Sequence, residues 1–313
     1  MGFSVGTLTN YIDQSSKDLI ARSYFENRSA EYFGGFQTGI KTSSALQILA
    51  VTAVPQADSA CSFAASGTTT FTQRNITVGA IKYQDTLCPK DLRAKWTQIL
   101  LKQGSNAENE SLTFEASIAD QLVSLVKEHV EVLDWQGNTA SGNEYLSKYD
   151  GLIKIIDAAG TALDGNTGNV TSATGFISTN AIAIINGICD TAPAKIKTKA
   201  NKVLFIGTDW FDTYVNGLMA ANLFNFDATA WADYVLNVPG KNVKVVGVHG
   251  LDGTGRAFLG VADNFFLGVD LEGEEEEFKM WYSMDDDNIK YSIKFKRGVQ
   301  VAYPSEIVEF TFN

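Results

Sequence analysis

Side chains able to do acid/base or metal chemistry near neutral pH are few in this chain and far apart. His129 and His249 are the only histidines among 313 residues, and imidazole is the side chain whose ordinary titration falls near physiological pH. His129 lies four residues after Leu125 and four before Leu133, on the apolar stripe of a helical pattern, and reads as a partly buried, satisfied core histidine. His249, in Val248-His249-Gly250-Leu251, closes a strand-like run. A strand end can host a site and Asp252 is close in the chain, yet one imidazole makes no catalytic constellation. Gly250, Gly253 and Gly255 of GLDGTGR come in the wrong order for a dinucleotide fingerprint, and no Lys-Ser/Thr follows as a phosphate loop requires. A turn accounts for them. GxSxG and HExxH are absent, so neither a nucleophile elbow nor a zincin helix is available. The residues therefore point to no catalytic group, cofactor site or metal site, with an α/β enzyme using His249 and Asp252 as the alternative from that class.

Charge and cysteine placement narrow the classes further. The net charge is -11 and the pI about 4.7, which argues against sequence-independent DNA binding, because that depends on Lys and Arg releasing counterions from phosphates. The acidic tract Glu272 to Glu277 (EGEEEE) and Asp285-Asp286-Asp287 lack the alternating ligands of a calcium loop and read as solvated turns. A third reading sets them against Lys195, Lys197, Lys199 and Lys202 of KIKTKANK on a neighbouring subunit, with Lys197 and Lys199 as contact residues. Cys61, Cys88 and Cys189 show no CxxC spacing, so neither a disulfide framework nor a zinc site is expected. Cys61 and Cys88 flank one hairpin and could meet at its base, with reduced thiols expected. No secretory leader or membrane span is expected from the apolar patterning.

The elements that must position these groups are legible as periodicities. Residues 1–42 read as an arm, with a short helix over 12–25 and the aromatics Tyr32, Phe33 and Phe36 able to anchor on a neighbour or on the chain's own domain. Ser43 to Val54 (SSALQILAVTAV) is an apolar run of strand length, expected to be buried. Phe71 to Tyr83 reads as one long strand of ~40 Å at the usual strand rise, with Ser59 to Ala65 as its partner and 66–69 as the turn. Such a hairpin has too little apolar surface to hold itself and must lie on something else. Helices are expected over 91–102 and 113–135, the second ~33 Å long from the helical rise. A Gly/Asn/Thr-rich stretch, 138–174, is interrupted by Leu152-Ile153-Ile155-Ile156. Then follow a helix across Ile182 to Ile188, a strand 202–206, a helix 210–223 capped by Thr208 or Asp209, and strands at 243–248, 257–261, 265–269, 278–282, 288–301 and 307–312. This order reads as a mixed sheet covered by helices, an α+β class.

The order of pieces resembles the major capsid proteins of tailed double-stranded DNA bacteriophages, the Hong Kong 97 type capsid fold, across essentially the whole chain. Leu133-Asp134-Trp135-Gln136-Gly137-Asn138, followed by Tyr149-Asp150-Gly151-Leu152, is similar to that family's helix end, Gly-rich loop and continuation. Val238-Pro239-Gly240-Lys241-Asn242-Val243 leading to Val245-Val246 resembles its axial-domain turn and strand. Lys294 to Pro304 and Ile307-Val308-Glu309-Phe310 resemble its closing strands.

The resemblance implies an arm over 1–42 and a strand with the intersubunit E-loop hairpin over 43–90. It implies a peripheral P-domain over 91–160, with spine helix 113–135, and an axial A-domain over 161–275. P-domain return strands over 276–302 and a closing A-domain strand over 303–313 complete the set. It further implies self-assembly into pentamers and hexamers of an icosahedral shell around DNA packaged without sequence-specific contacts. Assembly would take place in the host cytoplasm, with a separate scaffolding protein, a portal and decoration proteins as partners, no cofactor and no membrane. Phe71, Arg74, Ile76 and Lys82, with Tyr32, Phe33 and Phe36, are the expected intersubunit residues. An encapsulin-like shell and a tail-associated virion module are the alternatives outside enzymes.

Overall fold

All five residues of strand β6, Lys202–Ile206 (KVLFI), are buried, as the near-continuous apolar run of a strand covered on both faces requires. Its alternate side chains serve two cores, Val203 and Phe205 one, Leu204 and Ile206 the other. The computed structural model describes residues 28–55, 66–87, 125–221, 233–270, 279–283, 285–286 and 288–312. The elements expected at 12–25, 59–65, 91–102 and 113–124, and the acidic tract at 272–277, lie outside these residues.

β6 sits inside a six-stranded sheet. The order is β5 (Leu163–Asp164), β13 (Val308–Thr311), β9 (Arg256–Val261), β6, β8 (Lys244–Gly247), β7 (Val235–Asn237). β5 with β13 and β6 with β8 are parallel, and the remaining neighbours antiparallel. Helices α4 (Ala181–Thr191) and α6 (Thr208–Ala220) cover one face, burying Ile185, Ile188, Phe211 and Tyr214 with Leu204, Val245 and Leu259. Neither Thr208 nor Asp209 caps α6 as expected; the cap position is Gly207. Asp252 performs the task instead, accepting bonds from the Thr208 amide and hydroxyl and placing a carboxylate at the positive end of the helix dipole.

A second sheet runs β1 (Gly35–Gln37), β10 (Phe265–Val269), β12 (Asn288–Val301), β11 (Lys279–Ser283), with β4 (Gly79–Leu87) also paired to β12. Residues 125–136 form helix α2, whose Val126, Val130, Leu133 and Trp135 share one core with Ile81, Phe265, Phe295 and Phe258. This core joins the two sheets. Fully buried Trp135 stacks on Phe258 at 5.6 Å, and its Nε1 donates to Ser29 Oγ at 2.8 Å. Ser29 Oγ in turn donates to Glu131 at 2.8 Å, tying the short helix α1 (Arg28–Glu31) to α2. The Glu131 carboxyl lies above its ordinary range because burial penalises its charge, an effect that the Ser29 bonds partly offset.

The junction after α2 is built on close approach. A Cβ on Gly151 would lie 2.6 Å from the Trp135 carbonyl oxygen, so the Gly151 amide can reach the Gly137 carbonyl at 2.8 Å. Next comes α3 (Leu152–Ala159), ended by left-handed Gly160 (φ 59°). Its apolar residues, read above only as an interruption of a loop, have the i, i+3, i+4 spacing of a helix face. Across the same junction, Asp134 of α2 and Arg297 of β12 are both fully buried. Arg297 donates from Nε at 3.0 Å and Nη2 at 2.6 Å, and Tyr149 adds its hydroxyl at 2.6 Å.

Cys189 is buried on α4, and burial pushes its thiol up to about 11. The thiolate is the reactive form. In the folded protein at pH 8, Cys189 is expected to resist iodoacetamide and to become fully alkylated in denaturant, as read by peptide mass spectrometry; rapid native labelling would contradict the packing described. Cys61 and Cys88 lie outside the described residues.

Candidate assembly surfaces

The hairpin predicted from the sequence exists, but it pairs different segments. β2 (Ser43–Ala53) runs antiparallel to β3 (Gly67–Thr77), in register from Ser43 with Thr77 to Ala53 with Gly67. Eleven residues per strand make a ribbon ~36 Å long at the usual strand rise. The run 71–83 is not one strand: it breaks at Val78, and β4 leaves the ribbon to pair with β12. Ser43 to Val54 is not a buried strand either, since Ile48 is its one buried residue. Among the described residues, nothing covers the apolar run beyond Ile48.

Alternation along the ribbon sets its two faces. Leu49 and Phe71, direct cross-strand partners, are 51% and 75% exposed, and Val51 lies beside them, also exposed. Toward the base, Ile76 packs with Ile40 and Val78 over Gly268, where a Cβ would meet the Ile76 side chain at 2.6 Å. Gln300 Nε2 donates to the Asn75 carbonyl at 2.6 Å. The base of the ribbon is thus fastened to the β10/β12 sheet while its far half carries uncovered apolar surface.

The expected interface residues separate accordingly. Phe71 is on the uncovered surface and Phe36 is 48% exposed. Arg74 is half-buried opposite Leu46, and burial draws its guanidinium below its ordinary value. Its Nε is buried without a hydrogen bond. Ile76 must be corrected, because it is fully buried in the protomer's own base cluster and has no surface left for a neighbour. Phe33 packs half-buried within the protomer, against Trp135, Phe205 and Phe265 with centroids 5.8 to 6.4 Å away, and keeps part of its surface exposed. Tyr32 packs half-buried on that core. Lys82 is exposed, but on β4 opposite Lys294 rather than in the ribbon. Lys197 Nζ donates to the Asp190 carbonyl at 2.7 Å, and Lys199 pairs with Glu306 at 3.4 Å, so both have partners inside the protomer. Exposed Leu49 and Val51 are not among the residues expected from the sequence. Their signal lies in the Thr-rich strand 67–72, which offers an apolar partner strand nothing to hide behind.

Among the described residues, the side chains with chemical potential are not brought into a catalytic array. His249 Nδ1 lies 2.8 Å from Asp252 and Nε2 3.5 Å from Glu128, while Thr208 Oγ donates to the same Asp252 at 2.7 Å. The carboxylate stands between hydroxyl and imidazole, the reverse of the order in which a base could take the hydroxyl proton. A neighbouring cleft of about 590 Å³, lined by Arg28, Glu31, Glu131, Thr208, Asp233 and His249 among others, mixes charges of both signs. His129 stacks on Tyr83 at 6.0 Å with an edge contact to Tyr145, and its buried Nδ1 has no hydrogen-bond partner. It is packed rather than satisfied. Among the described residues, no group of three or more His, Cys, Asp or Glu side chains is placed to hold a metal ion, and no helix is long and apolar enough to cross a membrane.

No family model matches the chain, and no curated sequence is similar to it. Its structure is similar to those of phage and phage-like shells. The procapsid of satellite phage P4, which includes a size-determination protein, aligns with TM-score 0.55 at 8% identity over 99% of this chain and 91% of that one. The capsid of an empty GTA particle aligns with TM-score 0.56 at 10% identity over 91% and 90%. The capsid of Myoviridae phage XM1 aligns with TM-score 0.53 at 13% identity over 88% and 87%. At these identities the likeness is one of fold, and this chain has the mixed helix-and-sheet Hong Kong 97 type fold of phage capsid proteins.

Proposed function

We propose that this chain is the major capsid protein of a tailed bacteriophage, a structural subunit that assembles into pentamers and hexamers of an icosahedral shell around double-stranded DNA. The observation that carries the reading is the β2–β3 ribbon, whose Leu49, Val51 and Phe71 are exposed and belong to neither of the two main cores. A two-stranded ribbon with an apolar flank is marginal in water alone and is stabilised by docking on another copy. In this reading the ribbon 43–77 is the E-loop and the β1/β10/β12/β4 sheet with α2 is the peripheral domain. The six-stranded sheet with α4 and α6 is the axial domain at the capsomer centre. Heterologous contacts between such copies close according to their rotation angle. Assembly in the host cytoplasm with a separate scaffolding protein, a portal and decoration proteins belongs to the same proposal. So does DNA held without sequence-specific contacts, consistent with an acidic chain that gains little from counterion release. Expression alone and with a co-encoded scaffold, followed by negative-stain microscopy, tests it. Closed shells with five- and six-fold capsomers are expected; a chain that stays monomeric at high concentration under both conditions refutes it.

A further inference from the structure

A carboxylate stands at each ring nitrogen of His249, with Asp252 2.8 Å from Nδ1 and Glu128 3.5 Å from Nε2. The two acids belong to different elements. Glu128 is on α2, whereas Asp252 follows the 3-10 turn His249–Leu251 and holds the start of α6 through the Thr208 amide and hydroxyl. The turn itself is pressed onto α2: a Cβ on Gly250 would collide with the Glu131 carbonyl oxygen and the Trp135 ring, and Gln136 Nε2 donates to the Gly250 carbonyl at 2.8 Å. Backbone contacts thus hold the imidazole over α2 before any charge acts.

A neutral imidazole has one N–H and donates to one carboxylate, while its other nitrogen turns a lone pair toward the second; an imidazolium donates to both. Proton uptake therefore converts a one-sided bond into a bridge from α2 to the cap of α6. The surroundings are rich in acid. Glu31 of α1, Glu131 of α2 and Asp233 line the cleft that His249 enters, with Arg28 as the other lining cation. Arg28 is directed elsewhere, toward the Gly247 carbonyl at 3.4 Å and the Tyr234 ring. From the first turn of α6, Asp209 acts on the same acidic group through Asp252. Glu131 and Asp209 both lie above their ordinary range, chiefly because burial penalises their charge. A carboxyl raised in the fold stabilises it as the pH falls, in the same direction as the bridge, and replacing His249 alone separates the two effects.

We infer that His249 is a proton-sensitive brace, which when protonated ties α2 to the start of α6 and when neutral lets go of α2. The device lies within one protomer and does not depend on the shell reading. Hydrogen exchange of the unassembled full chain tests it, read by mass spectrometry in peptides covering 126–136 and 207–214 and corrected for intrinsic rates. Protection is compared at about pH 5 and about pH 8, the span over which imidazole ordinarily changes charge. The gain in protection at the lower pH is expected to be about threefold larger in the parent than in His249→Gln, the size of one exposed ion pair. Glu128→Gln keeps the imidazole and Asp252 and is expected to lose the same factor in both peptides. The side chains of His249 and Glu128 are 49% and 61% exposed, so both variants are expected to melt with the parent at the higher pH. Equal loss of protection at both pH values in His249→Gln would mean that the ring only packs, and overturns the inference. A Glu128→Gln chain with the parent's full pH response would leave Asp252 as the sole partner of the proton, and overturns it too.

Discussion

Asp134→Ala is expected to destabilise the folded chain by about 3–5 kcal/mol, the usual cost of removing one partner of a buried ion pair. Asp134 and Arg297 are both inaccessible to solvent and meet through two parallel hydrogen bonds, so truncation leaves the guanidinium buried without this carboxylate. The Tyr149 hydroxyl loses its acceptor in the same step. Burial first, and the Asp134 charge second, hold that hydroxyl far above its ordinary value, so it remains a donor at any working pH. The pair also fastens α2 to β12 across the core shared by both sheets, and its loss is expected to loosen the junction at Gly137 and Gly151. Urea titration of the unassembled chain, followed by circular dichroism, measures the effect. A loss below about 1 kcal/mol would place the pair among weak surface bridges and contradict its burial. The double replacement Asp134→Leu/Arg297→Met separates charge from packing. It removes both desolvated charges together, and such swaps are commonly neutral or stabilising, so it is expected to recover most of the loss.

The second large effect is on assembly rather than folding. Replacing residues 48–72 by an Asn-Gly turn joins Gln47 to Gln73, which are cross-strand partners, through the dipeptide that suits a two-residue hairpin. Ile76, Val78 and Ile40 stay in place, so the base cluster survives. Among the described residues of the removed segment Ile48 alone is buried, and the protomer is expected to lose only about 1.5–3 kcal/mol, the order of one buried aliphatic side chain. Shell formation is expected to disappear, since the Leu49–Phe71 surface goes with the segment. Sedimentation of the variant against the parent, with melting curves of both unassembled chains, checks the two halves separately. Normal shells from the truncated chain would refute the role given to the ribbon, and a chain that no longer melts cooperatively would show that the ribbon belongs to the protomer's own core.

Where neighbours in sequence are neighbours in structure, the sequence was readable. β6 and β12 fall where expected, as does β10, because an apolar run or a strict alternation of four or more residues specifies its own burial pattern. α4 and α6 were legible from the spacing of Ile182, Ile185 and Ile188 and of Trp210, Tyr214 and Leu218. The errors share one cause. SSALQILAVTA is apolar enough to be a core strand, and hydrophobicity records that a strand wants cover without recording whose surface supplies it. The break at Val78 escaped detection because β3 and β4 continue one β-rich pattern while pairing in different sheets. Ile76 reads from the sequence as an interface residue because side chains that suit an interface equally suit a core, and only the approach of Gly268 decides between them.

Residue types and their spacing set the class of elements, their order, the scarcity of histidine and the presence of an extended ribbon lacking its own core. Those are local properties, set by periodicity and residue type. Long-range packing is what joins 43–53 to 67–77 in the ribbon, brings Asp134 to Arg297 across 163 residues and sets Lys82 against Lys294. Pairings at such separations depend on the summed packing of every element between them, and no short window of sequence contains that sum.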